Sequence, residues 1–275
     1  MEVAPIGLPH SSQNVANLLF CVWQKAQVIV SSLFVISFLL ATVYLDTLLK
    51  TRMKVIPVLL LIVLSVFSPQ QLRTLKEREK ILAPKVFKSS RGETLPYRLS
   101  IPLHYDQKKK YPLVVYLHGG GGRGNDNQKQ IDGGNGYLID FFTGDETQAR
   151  YPSFVVAPQS PMEGWIEADS ITPTRYLHLV YELIADLQRT YNIDVARVYV
   201  AGQSMGGFGA FAIISEHPRM FAAGVALCDG GDQSKVGRLT NVPIWVFHGA
   251  KDESVPVERS RTIVAAIKNA GGGKV

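Results

Sequence analysis

Cysteine is nearly missing. The 275 residues hold two, Cys21 and Cys228, far apart in sequence, which excludes a disulfide framework and any cysteine-rich zinc module. Charge is scarce as well: 19% of residues are charged against 46% apolar, the reverse of a disordered chain. Fifteen prolines and 24 glycines follow no period, which excludes collagen and coiled coil. Neither an internal repeat, nor a low-complexity segment, nor a nucleotide-binding fingerprint, nor a metal-ligand cluster stands out, so no cofactor and no metal are expected. What remains is room for one α/β domain of ordinary size plus an appendage, or two small domains.

The net charge of +6 raises the question of nucleic acid, and its location answers it. Residues 69–91 hold Arg73, Lys76, Arg78, Lys80, Lys85, Lys88 and Arg91 against Glu77 and Glu79, whereas residues 92–275 hold 18 Lys/Arg against 19 Asp/Glu. The bulk of the chain is neutral, and nothing interleaves aromatic with basic residues, so no nucleic-acid partner is expected.

The N-terminal part has a different character. Val28–Leu45 is an uncharged run of 18 residues followed by Lys50, Arg52 and Lys54, the lower limit for a membrane-spanning helix and a charge pattern that keeps that end cytoplasmic. Val55–Phe67 is shorter and contains Pro57. Because it follows Met53-Lys54 directly, it looks like a signal-peptide core. Two readings stay open: residues 1–52 extend the frame upstream of a start at Met53, or the two runs form a membrane hairpin. Both export the rest, as a secreted, periplasmic or membrane-anchored protein. The basic cluster after Phe67 opposes translocation, and Pro69 makes a poor cleavage site after Ser68. The expected organisation is an extension over 1–52, a signal-like or second membrane segment over 53–68, a basic linker over 69–84, and a domain over 85–275.

From residue 96 onward, short apolar strands alternate with amphipathic helices. Tyr97–Pro102 reads as an edge strand; Leu113–Leu117, Phe154–Ala157 and Val198–Ala201 read as strands buried on both faces. Leu177, Val180, Ile184 and Leu187 recur at helical spacing, which predicts a helix over about 174–190. A second helix runs to about Glu216, before Pro218. Strands over 223–227 and 242–247 and a helix over 260–269 follow. This alternation means an α/β fold with a mainly parallel sheet and helices on both faces. Its chemistry belongs in the loops at the carboxyl ends of the strands.

Three such loops carry candidates. Gly202-Gln203-Ser204-Met205-Gly206 lies between a strand and a helix, where a strained turn would project Ser204 Oγ above the sheet as a nucleophile. His118-Gly119-Gly120-Gly121-Gly122 follows the 113–117 strand. Glycines there let backbone N–H groups approach a developing oxyanion, with Gly120 and Met205 as the expected donors; His118 reads as a structural residue. Asp252, past the 242–247 strand, suits the acid that orients a histidine, with Asp229 and Asp232 as competitors.

Tyr111-Pro112, Leu117-His118-Gly119, Arg123-Gly124-Asn125-Asp126-Asn127, the GQSMGG run and HGAKDESVP together resemble the α/β-hydrolase superfamily. The likeness is closest to its predicted-peptidase and carboxylesterase branch, related to dienelactone hydrolases and to feruloyl or polyhydroxybutyrate esterases, and covers residues 85–275. It implies a serine hydrolase acting through an acyl-enzyme on a small or polymeric carboxylic ester, or on a peptide. Ser204 would be nucleophile, Gly120 and Met205 the oxyanion hole, and Asp252 the acid. Trp165, in a segment like the acyl-site loop of that branch, is either a substrate contact or a packed indole.

One part is missing. The six histidines are His10, His104, His118, His178, His217 and His248, and chain order in this superfamily puts the base after the acid. His248, four residues before Asp252, is too close to straddle Ser204. The resulting expectation is a chain truncated at its C-terminus, lacking a last strand and helix and the catalytic histidine, and nearly inactive in this form. The rival expectation is a non-catalytic binding protein on the same scaffold.

Overall fold

The computed structural model describes residues 73–167 and 171–275. The chain divides into two units, Met1–Gln71 and Leu72–Val275, and the description concerns the second. The apolar runs over 28–45 and 55–67, and the segments expected over 1–52 and 53–68, lie outside the described residues. Among the described residues, no helix is long and apolar enough to cross a membrane.

The expected basic linker is, from residue 75 onward, part of the fold. Leu75–Ile81 forms helix α1, and Ala83–Lys88 forms strand β1. Thr74 and Glu77 cap α1 reciprocally, Thr74 Oγ1 accepting from Glu77 N and Glu77 from Thr74 N, which satisfies two otherwise orphaned amides. Arg78 is buried and paired with Asp140, its Nε and Nη2 each 2.8 Å from the carboxylate. Its positive charge therefore has an internal partner, which a reading of net charge alone could not reveal. β1 pairs antiparallel with β2, Thr94–Ser100, and takes the sheet edge that the sequence suggested for the 97–102 segment. Five of its six residues face water and only Phe87 is buried; the ladder hydrogen bonds, not an apolar face, hold it.

Strands β3 (Tyr111–Leu117), β4 (Phe154–Pro158), β5 (Ile193–Gln203), β6 (Ala223–Leu227) and β7 (Ile244–Phe247) complete a seven-stranded sheet of order β1-β2-β4-β3-β5-β6-β7. The pairs β3/β4, β3/β5, β5/β6 and β6/β7 are parallel, and β2/β4 is antiparallel. Every residue of β4 is buried, as is all of β3 except Pro112. Successive strand residues point to opposite faces, so unbroken burial means both faces are covered.

The helices are α2 (Gly136–Thr143), α3 (Asp145–Arg150), α4 (Arg175–Thr190), α5 (Met205–Glu216) and α6 (Glu258–Asn269). α4 buries Leu177, Val180, Ile184 and Leu187, with Leu179 and Leu183 beside them. α5 is buried from Gly206 to Ser215; a helix apolar all round belongs in a core. Its glycines at 206, 207 and 209 let it lie against the sheet closely.

Candidate active site

The β5–α5 junction sets the position of Ser204. Its backbone takes φ 51° and ψ −122°, a region costly for a residue with a side chain. The turn is held on both sides: Ser204 N donates to Leu227 O of β6 at 2.7 Å, and Ser204 O accepts from Gly207 N and Phe208 N. A side chain at Gly202 would run into Gly206, and one at Gly206 would overlap Leu117 O and come within 2.8 Å of His118 O. Glycine is therefore forced at both positions by close approach. Ser204 is partly exposed, and its hydroxyl caps nothing in α5.

Across from it, the glycine run after β3 forms a 3-10 turn over Gly120–Gly122. Gly120 and Met205 each stand first in a helical turn, where backbone N–H groups have no acceptor within the helix. Both expected donors are thus available in type. The loop is anchored by Asn135, a residue that the sequence did not single out. Its Oδ1 accepts from Gly119 N at 2.9 Å and lies 3.4 Å from Gln203 Nε2, so one amide ties the glycine loop to the residue before Ser204. Arg123 curls over Gly120, its Nε donating to Gly120 O at 3.0 Å. That bond commits the carbonyl.

His118 is structural, as its place at the strand end suggests. It is buried; its Nε2 accepts from Ser160 N at 3.1 Å and its Nδ1 lies 2.7 Å from Gly119 O. A carbonyl only accepts, so the proton sits on Nδ1. Burial lowers its pKa to about 4, and the ring stays neutral. Trp165 corrects one expectation: it is fully buried, and its indole N–H donates to His118 O at 3.1 Å. The side chain is a prop beneath the loop, not a surface that substrate reaches.

The Arg-Gly-Asn-Asp-Asn segment braces the same loop from outside. Asp126 Oδ1 accepts from Gln159 Nε2 at 2.8 Å, and Gln159 Oε1 accepts from Asn127 N at 2.6 Å. Asp126 has its pKa lowered to about 2: desolvation pushes up, and the Gln159 and backbone donors outweigh it.

Asp252 and Asp229 differ sharply. Asp252 accepts from Ser254 N and Val255 N, each at 2.9 Å, and these amides hold its carboxyl below the usual range. Its other oxygen lies 3.7 Å from His248 Nε2. Asp229 is completely buried; its Oδ1 meets Ser260 Oγ at 3.2 Å, and its Oδ2 has no partner among the described residues. Desolvation raises its pKa to about 8. Of the two, Asp252 is the ionised group. Asp232, the other competitor, caps the 233–238 turn by accepting from Ser234 N at 2.9 Å. His248 is engaged by Val255 O at 2.8 Å and Ser260 Oγ at 2.7 Å. One turn along α5 from Ser204, Phe208, Gly231, Arg259 and Ile263 line a cavity of about 290 Å³.

A family model described as "Putative esterase" matches residues 167–262. A thermostable esterase of known crystal structure is 40% identical, superposes with a TM-score of 0.66, and covers 70% of this chain and 53% of its own. These likenesses support a carboxylesterase family of α/β-hydrolase fold. A "Probable feruloyl esterase C" of Aspergillus terreus (strain NIH 2624 / FGSC A1156) is 29% identical over 170 residues, 59% of this chain and 56% of that protein. The CE1 ferulic acid esterase of Anaeromyces mucronatus, solved with ferulic acid, shares the fold at TM-score 0.52 and 16% identity, over 74% of this chain and 84% of its own. The chain spans a little over half the length of the curated relatives it matches.

Proposed function

We propose that this domain is a serine hydrolase of carboxylic esters working through an acyl-enzyme. The observation that carries the reading is Ser204, held at positive φ between β5 and α5 with its hydroxyl uncommitted to the helix. In the proposed reaction Ser204 Oγ attacks the ester carbonyl, and the carbonyl oxygen takes up the negative charge. The Gly120 and Met205 amides stabilise that charge, which is where such sites gain most. A histidine accepts the hydroxyl proton and returns it to the leaving alcohol, and Asp252 orients that histidine.

The base is the part these residues do not supply. None of residues 253–275 is histidine, and His118 and His248 are engaged elsewhere. We therefore expect the 275-residue chain to be slow, keeping roughly 10³–10⁴-fold over water from the oxyanion donors and binding. Esters are favoured over peptides, because an alkoxide leaves without the proton that an amine requires. Export follows in this proposal from the two apolar runs before residue 68.

The test is hydrolysis of a short-chain aryl ester by the 275-residue chain and by Ser204→Ala, with and without free imidazole. We expect both to turn over above the water rate, because that residual needs no serine, and imidazole to accelerate the parent alone beyond its effect in free solution. Equal acceleration by imidazole in parent and variant would refute the assignment and favour a binding protein on this scaffold.

A further inference from the structure

Among the described residues, two groups of side chains outside the Ser204 turn have the composition of a metal site, and their hydrogen bonds separate them. Cys228, His248 and Asp252 lie within 4.8 Å of one another, yet both ring nitrogens of His248 are taken, by Val255 O and Ser260 Oγ. His178, Glu216 and His217 are equally close and less committed. His178 stands in the first turn of α4, Glu216 ends α5, and His217 is the residue that stops it.

The geometry of this second group suits a cation. His178 Nδ1 is already 3.6 Å from Glu216 Oε2. Around a tetrahedral zinc ion, with metal–nitrogen and metal–oxygen distances near 2.0–2.2 Å, neighbouring donors are about 3.4 Å apart. All three donors lie within 4.8 Å of one another, so a small adjustment, rotation of the exposed His178 side chain among them, would bring them to ligating separation. The His217 ring is fixed instead: it stacks on Tyr181 with centroids 3.8 Å apart and planes 14° apart. Tyr181 is three residues after His178, so one face of α4 presents both a ligand and the platform for the other. The C-terminal end of a 12-residue helix adds its carbonyl dipoles, which favour a cation. Against binding stand Lys235, 3.8 Å from Glu216 Oε1, and Arg238, bonded to Ser215 O. Lys235 takes the carboxylate oxygen that His178 does not use.

We propose that His178, Glu216 and His217 bind one divalent transition-metal ion of the zinc class, pinning the start of α4 to the end of α5. Two imidazoles, one carboxylate and an open fourth position for water form a donor set that zinc accepts. The site lies at the far end of α5 from Ser204, roughly 18 Å away along a 12-residue helix, so its role is to fasten the fold and not to act on substrate.

The test is titration of the 275-residue chain with Zn²⁺ against a competing chelator dye, beside thermal unfolding with and without the metal. One ion per chain should bind, and Tm should rise by about 5–10 °C at a hundredfold excess over Kd. His178→Ala, at an exposed position that leaves the core untouched, should weaken binding at least tenfold and abolish the Tm rise. Ser204→Ala and Cys228→Ser should bind as the parent does. No uptake by the parent, unchanged affinity in His178→Ala, or a loss that follows Cys228→Ser would each overturn the proposal.

Discussion

Replacing Asp229 by asparagine should change how stability depends on pH, in a way that uncovers a second buried group. Asp229 is completely buried and titrates near 8 in the folded chain, against 3.8 when unfolded. Between those values the unfolded chain releases the proton and the folded chain keeps it. The native state binds more protons there, so stability falls with rising pH by about 1.4 kcal/mol per unit. His118 acts with the opposite sign: folded near 4, unfolded at 6.5, it binds fewer protons when native and adds about 1.4 kcal/mol per unit over that window.

From pH 4 to 6.5 the two slopes cancel. Above 6.5 Asp229 alone remains, and the parent should lose about 2 kcal/mol by pH 8. Asp229→Asn keeps the acceptor for Ser260 and removes the titration. Its stability should rise by about 3 kcal/mol from pH 4 to 6.5 and then stay level. The pH-independent cost of a buried amide without a partner, about 1–3 kcal/mol, shifts that curve without tilting it. Urea unfolding at half-unit steps from pH 4.5 to 8 measures both curves. Parallel curves for parent and variant would refute the account, because every other titrating group is shared and cancels in the difference.

Further outcomes can be checked with simpler assays. Gly206→Ala should cost about 3 kcal/mol or more, since its methyl overlaps Leu117 O; a melting temperature near the parent's would contradict the packing described. Arg78→Ala strands Asp140 in a largely buried pair and should destabilise by about 3–5 kcal/mol, whereas combining it with Asp140→Leu should recover much of that loss by urea midpoint. Asn135→Ala removes the acceptor for Gly119 N. It should cost about 1–3 kcal/mol and speed hydrogen exchange at Gly119, leaving β7 unaffected.

Strands β3 and β4 and helix α4 could be read in the chain because burial on both faces writes itself as unbroken apolar runs, and a half-buried helix as a 3.6-residue repeat. β1 could not. Its residues are exposed, and its place depends on ladder bonds to β2 and on Arg78 and Arg98 reaching Asp140 and Glu79, contacts 19 and 62 residues apart that no local pattern encodes. The Ser204 turn was legible because only glycine fits at 202 and 206. Trp165 stayed open between a substrate contact and a packed indole because an indole near a site looks the same in sequence whether it faces a ligand or holds up a loop. Asn135 left no signal: its role comes from meeting Gly119 and Gln203 across the fold.

The order of the sheet has a consequence for what such a domain can become. β3 and β5 are adjacent and parallel at the middle of the sheet, so both release the chain at the same edge. The segments that emerge there are locked together, Gly206 against Leu117 O and Gly119 to Gln203 through Asn135. The outer strands carry the peripheral loops, and lengthening or reshaping those margins leaves this central junction in place.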